Sequence, residues 1–175
     1  AQLRADLARF RTIIERLSIP LPQIVRTGLD WLDQTVERVR GPRRLVHGDL
    51  GFHNNLCDGD HLSAVLDWEM AHLGNPALDL GYIKVMVERR LPWAEFLDDY
   101  HRAGGPEVDA FAVDWYGVYT NLWFMHLVLQ ARAAVVSGAL HDMDYAYVCA
   151  HYGPAAHAYL SKRLRAAMRH DTRTP

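Results

Sequence analysis

The chain has 175 residues, half of them apolar and 23 % charged, with a net charge of −2. At roughly 100–200 residues per domain this is one compact domain, large enough to bury a core without disulfide or metal staples. The near-neutral charge gives no global electrostatic support for a nucleic-acid partner, and no apolar run reaches the roughly 18 residues of a membrane-spanning helix.

Leu3, Leu7, Phe10, Ile13, Ile14 and Leu17 recur at helical spacing, and Pro20 and Pro22 end that helix. A second helix follows from Ile24 to Val39 and stops at Gly41-Pro42. Both helices have a polar face. From Arg44 to Asp67 the texture shortens. Leu45-Val46 reads as a brief buried strand, and Leu56-Cys57 and Leu62–Leu66 flank an Asp58-Gly59-Asp60 turn as a small β-hairpin. Gly74-Asn75-Pro76 is another loop, after which the pattern stays helical. Helices are predicted over Leu78–Val87, Trp93–Ala103, Asp109–Val136 and Met143–Met168, the last interrupted near Gly153-Pro154. The Asp109–Val136 helix is apolar on almost every face and reads as a buried central helix, with Trp115, Tyr116, Tyr119, Trp123 and Phe124 as core aromatics. The fold class is therefore mainly α with one small β-hairpin island at residues 44–76. Cys57 and Cys149 form no disulfide framework and read as the reduced thiols of a cytoplasmic protein. The start, Ala1-Gln2-Leu3-Arg4, has neither an apolar signal-peptide core nor an initiator Met, which points to a piece of something longer.

The island holds the residues that carry chemistry. It reads Leu45-Val46-His47-Gly48-Asp49, then Asn54 five residues after Asp49, then a hydrophobic strand ending in Asp67-Trp68-Glu69. Asp49 leaves a strand for a loop, Asn54 closes that loop, and a tight hairpin would return Asp67 close to Asn54. Oxygen ligands from Asn54 and Asp67 suit Mg²⁺, which completes its shell from water and phosphates. Asp49 beside them is placed to accept a proton from an attacking hydroxyl. Metal, base and in-line positioning are what phosphoryl transfer requires. The ten histidines form no His-Glu-x-x-His or Cys-x-x-Cys set, so they read as scattered rather than as a zinc site.

His47-Gly48-Asp49 with Asn54, followed by Asp67-Trp68-Glu69, resembles the aminoglycoside phosphotransferase and choline kinase family, relatives of protein kinases. Within it, Leu66-Asp67-Trp68-Glu69-Met70-Ala71-His72-Leu73-Gly74-Asn75-Pro76-Ala77-Leu78-Asp79-Leu80 is similar to the branch related to the kinase-like part of acyl-CoA dehydrogenase fusions. The resemblance implies that Asp49 is the catalytic base and that Asn54 and Asp67 bind the Mg²⁺–nucleotide cofactor, ATP or GTP. It further implies that Glu69 assists a second metal and that His47 and Asp79 shape the loop. Many members carry His-Pro-Gly between the Asp and the Asn. Gly51-Phe52-His53 stands there in this chain, which weakens an aminoglycoside as the acceptor.

No Gly-x-Gly-x-x-Gly or Gly-x-x-x-x-Gly-Lys occurs, neither Lys84 nor Lys162 lies in a strand pattern, and the motif arrives at residue 47. All 175 residues therefore resemble the helical C-terminal lobe of a kinase-like fold, as a single domain without its N-terminal nucleotide lobe. The expected function is the catalytic lobe of a phosphotransferase that moves the γ-phosphate of ATP or GTP to a small-molecule hydroxyl and is inert alone. Its expected partners are the hydroxyl acceptor and either the missing lobe or a second copy, bound at an exposed apolar patch near residues 45–70. The alternatives are a non-catalytic binding or interaction module, and a Mg²⁺-dependent hydrolase, which would need a further carboxylate cluster. Acceptor contacts are expected from residues 93–140, where Asp98, Asp99, Asp109 and Asp114 read as a solvated face.

Overall fold

The computed structural model describes residues 2–17, 19–139 and 143–171; Ala1 lies outside them. In chain order it contains α1 (Gln2–Glu15), α2 (Gln23–Thr35), β1 (Arg44–Val46), β2 (Asn55–Asp58), β3 (His61–Val65), β4 (His72–Gly74), α3 (Ala77–Val87), α4 (Trp93–Arg102), α5 (Ala110–Val136) and α6 (Met143–Asp171). Short 3-10 turns follow α2 and precede β2 and β4. The architecture is mainly helical, with two small antiparallel sheets, β1–β4 and β2–β3. No helix among the described residues is long and apolar enough to cross a membrane.

The residues divide into two compact units, Ala1–Arg38 with Val118–Pro175, and Val39–Gly117. In the first, Leu7, Phe10 and Ile14 of α1 are buried at the helical spacing that predicted them. Phe10 lies 5.4 Å from the Tyr119 ring and 5.3 Å from that of Trp123. Gly28 lets α2 approach α5 closely, since a Cβ there would stand 3.1 Å from a Leu122 methyl. Leu160, Leu164 and Ala167 form the buried stripe of α6. That helix runs unbroken through Pro154, where an interruption was expected. Proline removes one backbone donor there, and the rest of the ladder holds.

The second unit carries the island. The hairpin β2–β3 forms as expected, but its two-residue loop is Gly59-Asp60, closing between Asp58 and His61. Gly59 supplies a φ of +59°, which makes the turn of the type with glycine at its first central position. Strand β4 has no alternating pattern of its own; it is defined by pairing with β1, Val46 opposite His72 and Arg44 opposite Gly74. Helix α3 crosses the start of α5 at Gly81, where a Cβ would fall 2.6 Å from the Val113 carbonyl oxygen. Lys84 of α3 pairs with Asp114 of α5 at 2.8 Å, and Asp114 is buried. The solvated face expected for Asp114 is therefore corrected, because α3 brings it a cation. Among the expected core aromatics, Trp115 and Tyr116 are buried, whereas Phe124 is 38 % exposed.

His126 of α5 is buried in the first unit between aromatic rings, and neither ring nitrogen has a hydrogen-bond partner. Burial lowers its pKa. Above the unfolded value of about 6.5 both states are neutral and His126 adds no pH dependence. Below it the unfolded chain takes up the proton first, so stability falls as pH drops toward the lower folded value. His126→Leu should remove this acid-side loss and, by deleting unsatisfied polar atoms, raise stability by about 1 kcal/mol. Thermal unfolding of both proteins from pH 5 to 8 measures it; parallel curves would contradict the assignment.

Candidate active site

The site residues all lie in the second unit. Its anchor is Asp79, in the first turn of α3. The carboxylate does not cap its own helix. Its Oδ2 accepts the His47 backbone N–H at 2.7 Å and its Oδ1 the Gly48 N–H at 2.9 Å. Two consecutive amides leaving β1 are thereby held by one charged group. Gly48 then turns at φ +85°, with the Met70 carbonyl oxygen 2.7 Å from where a Cβ would stand. Both the backbone angle and the space call for glycine.

His47 closes the loop from inside. Its Nε2–H donates to the Leu66 carbonyl at 2.8 Å, which leaves Nδ1 to accept the Asp49 backbone N–H at 3.3 Å. Both ring nitrogens are thus engaged within the protein, and the ring packs 4.8 Å from that of Trp68. Asn54, also buried, turns its amide nitrogen to the Asp49 carbonyl at 2.9 Å and to the Asp49 carboxylate at 3.2 Å. Its amide oxygen is left as the end available to a cation.

The hairpin returns the chain as the spacing predicted: the Asn54 carbonyl accepts the Leu66 N–H at 2.7 Å, so Asp67 is the next residue after a direct bond to Asn54. Asp67 stands at φ 63°, ψ 58°, the one non-glycine residue with positive φ among those described. An L-residue there costs on the order of 1 kcal/mol, and Asp tolerates it better than most. The left-handed step turns the chain from β3 into the 3-10 turn Trp68–Met70, which carries the exposed Glu69. The Trp68 indole N–H donates to the Val65 carbonyl at 2.7 Å and pins that turn.

Two neighbours of Asp49 stand apart from the motif positions. Tyr82 sits three residues after Asp79, on the same face of α3. Burial first, and then hydrogen bonding to Asp49 and its charge, hold the Tyr82 phenol above its ordinary range, so it remains a donor. The spacing from Asp79 was the available signal for Tyr82. His53 places Nε2 3.6 Å from Asp49 Oδ2.

Asn54 and Asp67 offer oxygen donors of the kind Mg²⁺ takes, on adjoining segments of one hairpin. No group of three or more His, Cys, Asp or Glu side chains converges into a metal cage among the described residues. A cation here would draw its remaining ligands from water and from a bound phosphate, the usual arrangement for Mg²⁺.

Two small antiparallel sheets, a clamped loop and a predominantly helical body define a kinase-like phosphotransferase fold. A solved structure of a candidate aminoglycoside phosphotransferase from Ralstonia eutropha JMP134 shares that fold with a TM-score of 0.70 at 18 % identity. The match covers 94 % of this chain and 55 % of that one, so the chain spans about half the length of this relative. The family model APH, the phosphotransferase enzyme family, matches residues 2–116, and the chain belongs to that family.

The clamp makes a stability prediction. Asp79→Ala should cost about 3 kcal/mol, since it strips two charge-assisted hydrogen bonds from amides that cannot turn to water without opening the loop. Urea unfolding of the variant measures the loss; a value below about 1 kcal/mol would show that the loop holds its shape without α3.

Proposed function

We propose that this chain is the catalytic lobe of a Mg²⁺-dependent phosphotransferase that moves the γ-phosphate of ATP or GTP to a hydroxyl of a small molecule. The observation that carries the reading is the bond of Asn54 to Asp49, together with the hairpin bond that sets the left-handed Asp67 one residue beyond the partner of Asn54. Strain is retained where function needs it, and a glycine at position 67 would hold the same backbone without it.

In this reading Asp49 accepts the proton of the acceptor hydroxyl as that oxygen attacks. Asn54 orients the Asp49 carboxylate through its amide nitrogen and turns its oxygen, with Asp67, to the metal. Mg²⁺ at Asn54 and Asp67 supplies charge neutralisation for the phosphates, and Glu69 is the candidate ligand for a second ion. His47 and Asp79 hold the loop in register and do not react. Positioning and charge stabilisation are most of what a protein contributes to this reaction.

The nucleotide in such enzymes is held between two lobes. The exposed apolar side chains of this unit support a covered face: Leu45 and Leu73 are cross-strand partners on β1 and β4, 64 % and 63 % exposed, and Leu62 is 61 % exposed. The proposed cover is a nucleotide-binding lobe, with self-association as the alternative. The 175 residues by themselves carry no glycine-rich phosphate loop or strand lysine, and so should transfer no phosphate. The location of the working protein is proposed to be cytoplasmic, where ATP and Mg²⁺ are supplied.

Asp67→Gly should abolish Mg²⁺-dependent nucleotide binding, followed by calorimetry, while its unfolding temperature stays level or rises, because glycine relieves the left-handed strain. Retained metal–nucleotide affinity would sink the ligand assignment. In the protein with its nucleotide lobe, Asp49→Asn should lower turnover by at least about 10²-fold with little change in nucleotide affinity. Near-normal turnover in that variant would show that Asp49 is not the base.

A further inference from the structure

The segment Gly51-Phe52-His53 lies between the proposed base and the proposed metal ligand Asn54, and its packing is specific. The backbone at Gly51 is extended, φ −110° and ψ 159°, a conformation open to any residue. Space rather than backbone angle accounts for the glycine: a Cβ there would lie 2.2 Å from Cε1 and 2.4 Å from Nδ1 of the His53 imidazole. The ring is folded back with its Cε1–Nδ1 edge against Gly51, which is buried, while the His53 side chain itself stays 57 % exposed. In that pose the far nitrogen, Nε2, faces Asp49 Oδ2 at 3.6 Å, on the same carboxylate oxygen that Asn54 approaches at 3.2 Å. The absence of a Cβ at Gly51 permits this placement, since the three atoms nearest to where one would stand all belong to the His53 ring.

We propose that His53 is a positioning residue for Asp49, and that Gly51 is the device that seats it. With Asn54 bonded to Oδ2 and Tyr82 donating to the same carboxylate, the imidazole standing against Oδ2 limits the orientations that Asp49 can take toward the acceptor hydroxyl. The proposal rests on the reading of Asp49 as the base. An exposed histidine is otherwise free to sample several rotamers, each costing catalytic alignment, and a misplacement of about 1 Å at a reacting group can cost on the order of 10²-fold in rate.

The device makes two separate residues act as one. In the protein with its nucleotide lobe, His53→Ala should lower kcat on the order of tenfold, with the KM for nucleotide unchanged. Gly51→Ala, which keeps His53 but pushes its ring away, should give the same loss. The double variant should be no worse than either single one, because both remove the same contact. His53→Gln, which retains an N–H at a similar reach, should recover part of the rate. Unfolding temperatures of all four variants, measured alongside, should stay within a few degrees of the parent. Losses that multiply in the double variant, or full activity of His53→Ala while Asp49→Asn is inactive, would overturn the positioning role and leave the base assignment standing. Near-normal turnover of Asp49→Asn would instead remove the base assignment itself, and the inference with it.

Discussion

The grip of one carboxylate on two backbone amides organises this protein's site. Asp79 sits on a helix whose burial is secured by Ala77, Leu78, Leu80 and Ile83, and from that rigid base it holds the N–H groups of His47 and Gly48. Everything downstream inherits the register. The turn at Gly48 points Asp49 out of β1, and the His47 ring ties the loop to the end of β3 through Leu66. Charge-assisted hydrogen bonds are roughly twice as strong as neutral ones, and two in parallel fix orientation as well as distance. A loop with two glycines between short strands is costly to order by its own backbone. The helix supplies the order instead.

The same helix reaches the reactive carboxylate directly. Tyr82, one turn beyond Asp79, meets Asp49, so α3 addresses both the backbone and the side chain of the loop. Its packing against α5 through Gly81 keeps that address steady within the unit. Against this rigidity stands one strained residue, Asp67, whose left-handed backbone turns β3 into the following 3-10 turn. A scaffold that over-determines its geometry can hold such a residue; a looser one would let it relax toward the extended region.

The local pattern of the sequence went far toward the architecture. Apolar spacing marked the six helices of the described residues to within a few positions, since burying one face imposes a 3.6-residue period wherever the helix lies. The Asp-Gly turn marked the hairpin, although the residue pair that forms its loop is Gly59-Asp60. Strand β4 and the passage of α6 through Pro154 escaped this reading. A three-residue strand has no period to detect; its partner β1 defines it. A proline's cost is local and the surrounding helix can absorb it. Asp114 looked solvated because its partner, Lys84, is thirty positions away on another helix.

For the site, the chain alone determined the residue types, their order and the hairpin that brings Asn54 and Asp67 to adjoining positions, because loop length and strand alternation are local properties. The family followed from those motifs, and the match over residues 2–116 bears it out. Only the tertiary structure decided which groups hold the site in shape: Asp79 bonded to amides 31 and 32 positions earlier, His47 bonded to the carbonyl of Leu66, Tyr82 set against Asp49. It alone decided that Asp67 is left-handed and that the edge of the His53 ring stands against Gly51. The reason is physical: periodicity records which face of an element is buried, whereas the direction of a single hydrogen bond across the fold depends on where the whole chain has packed.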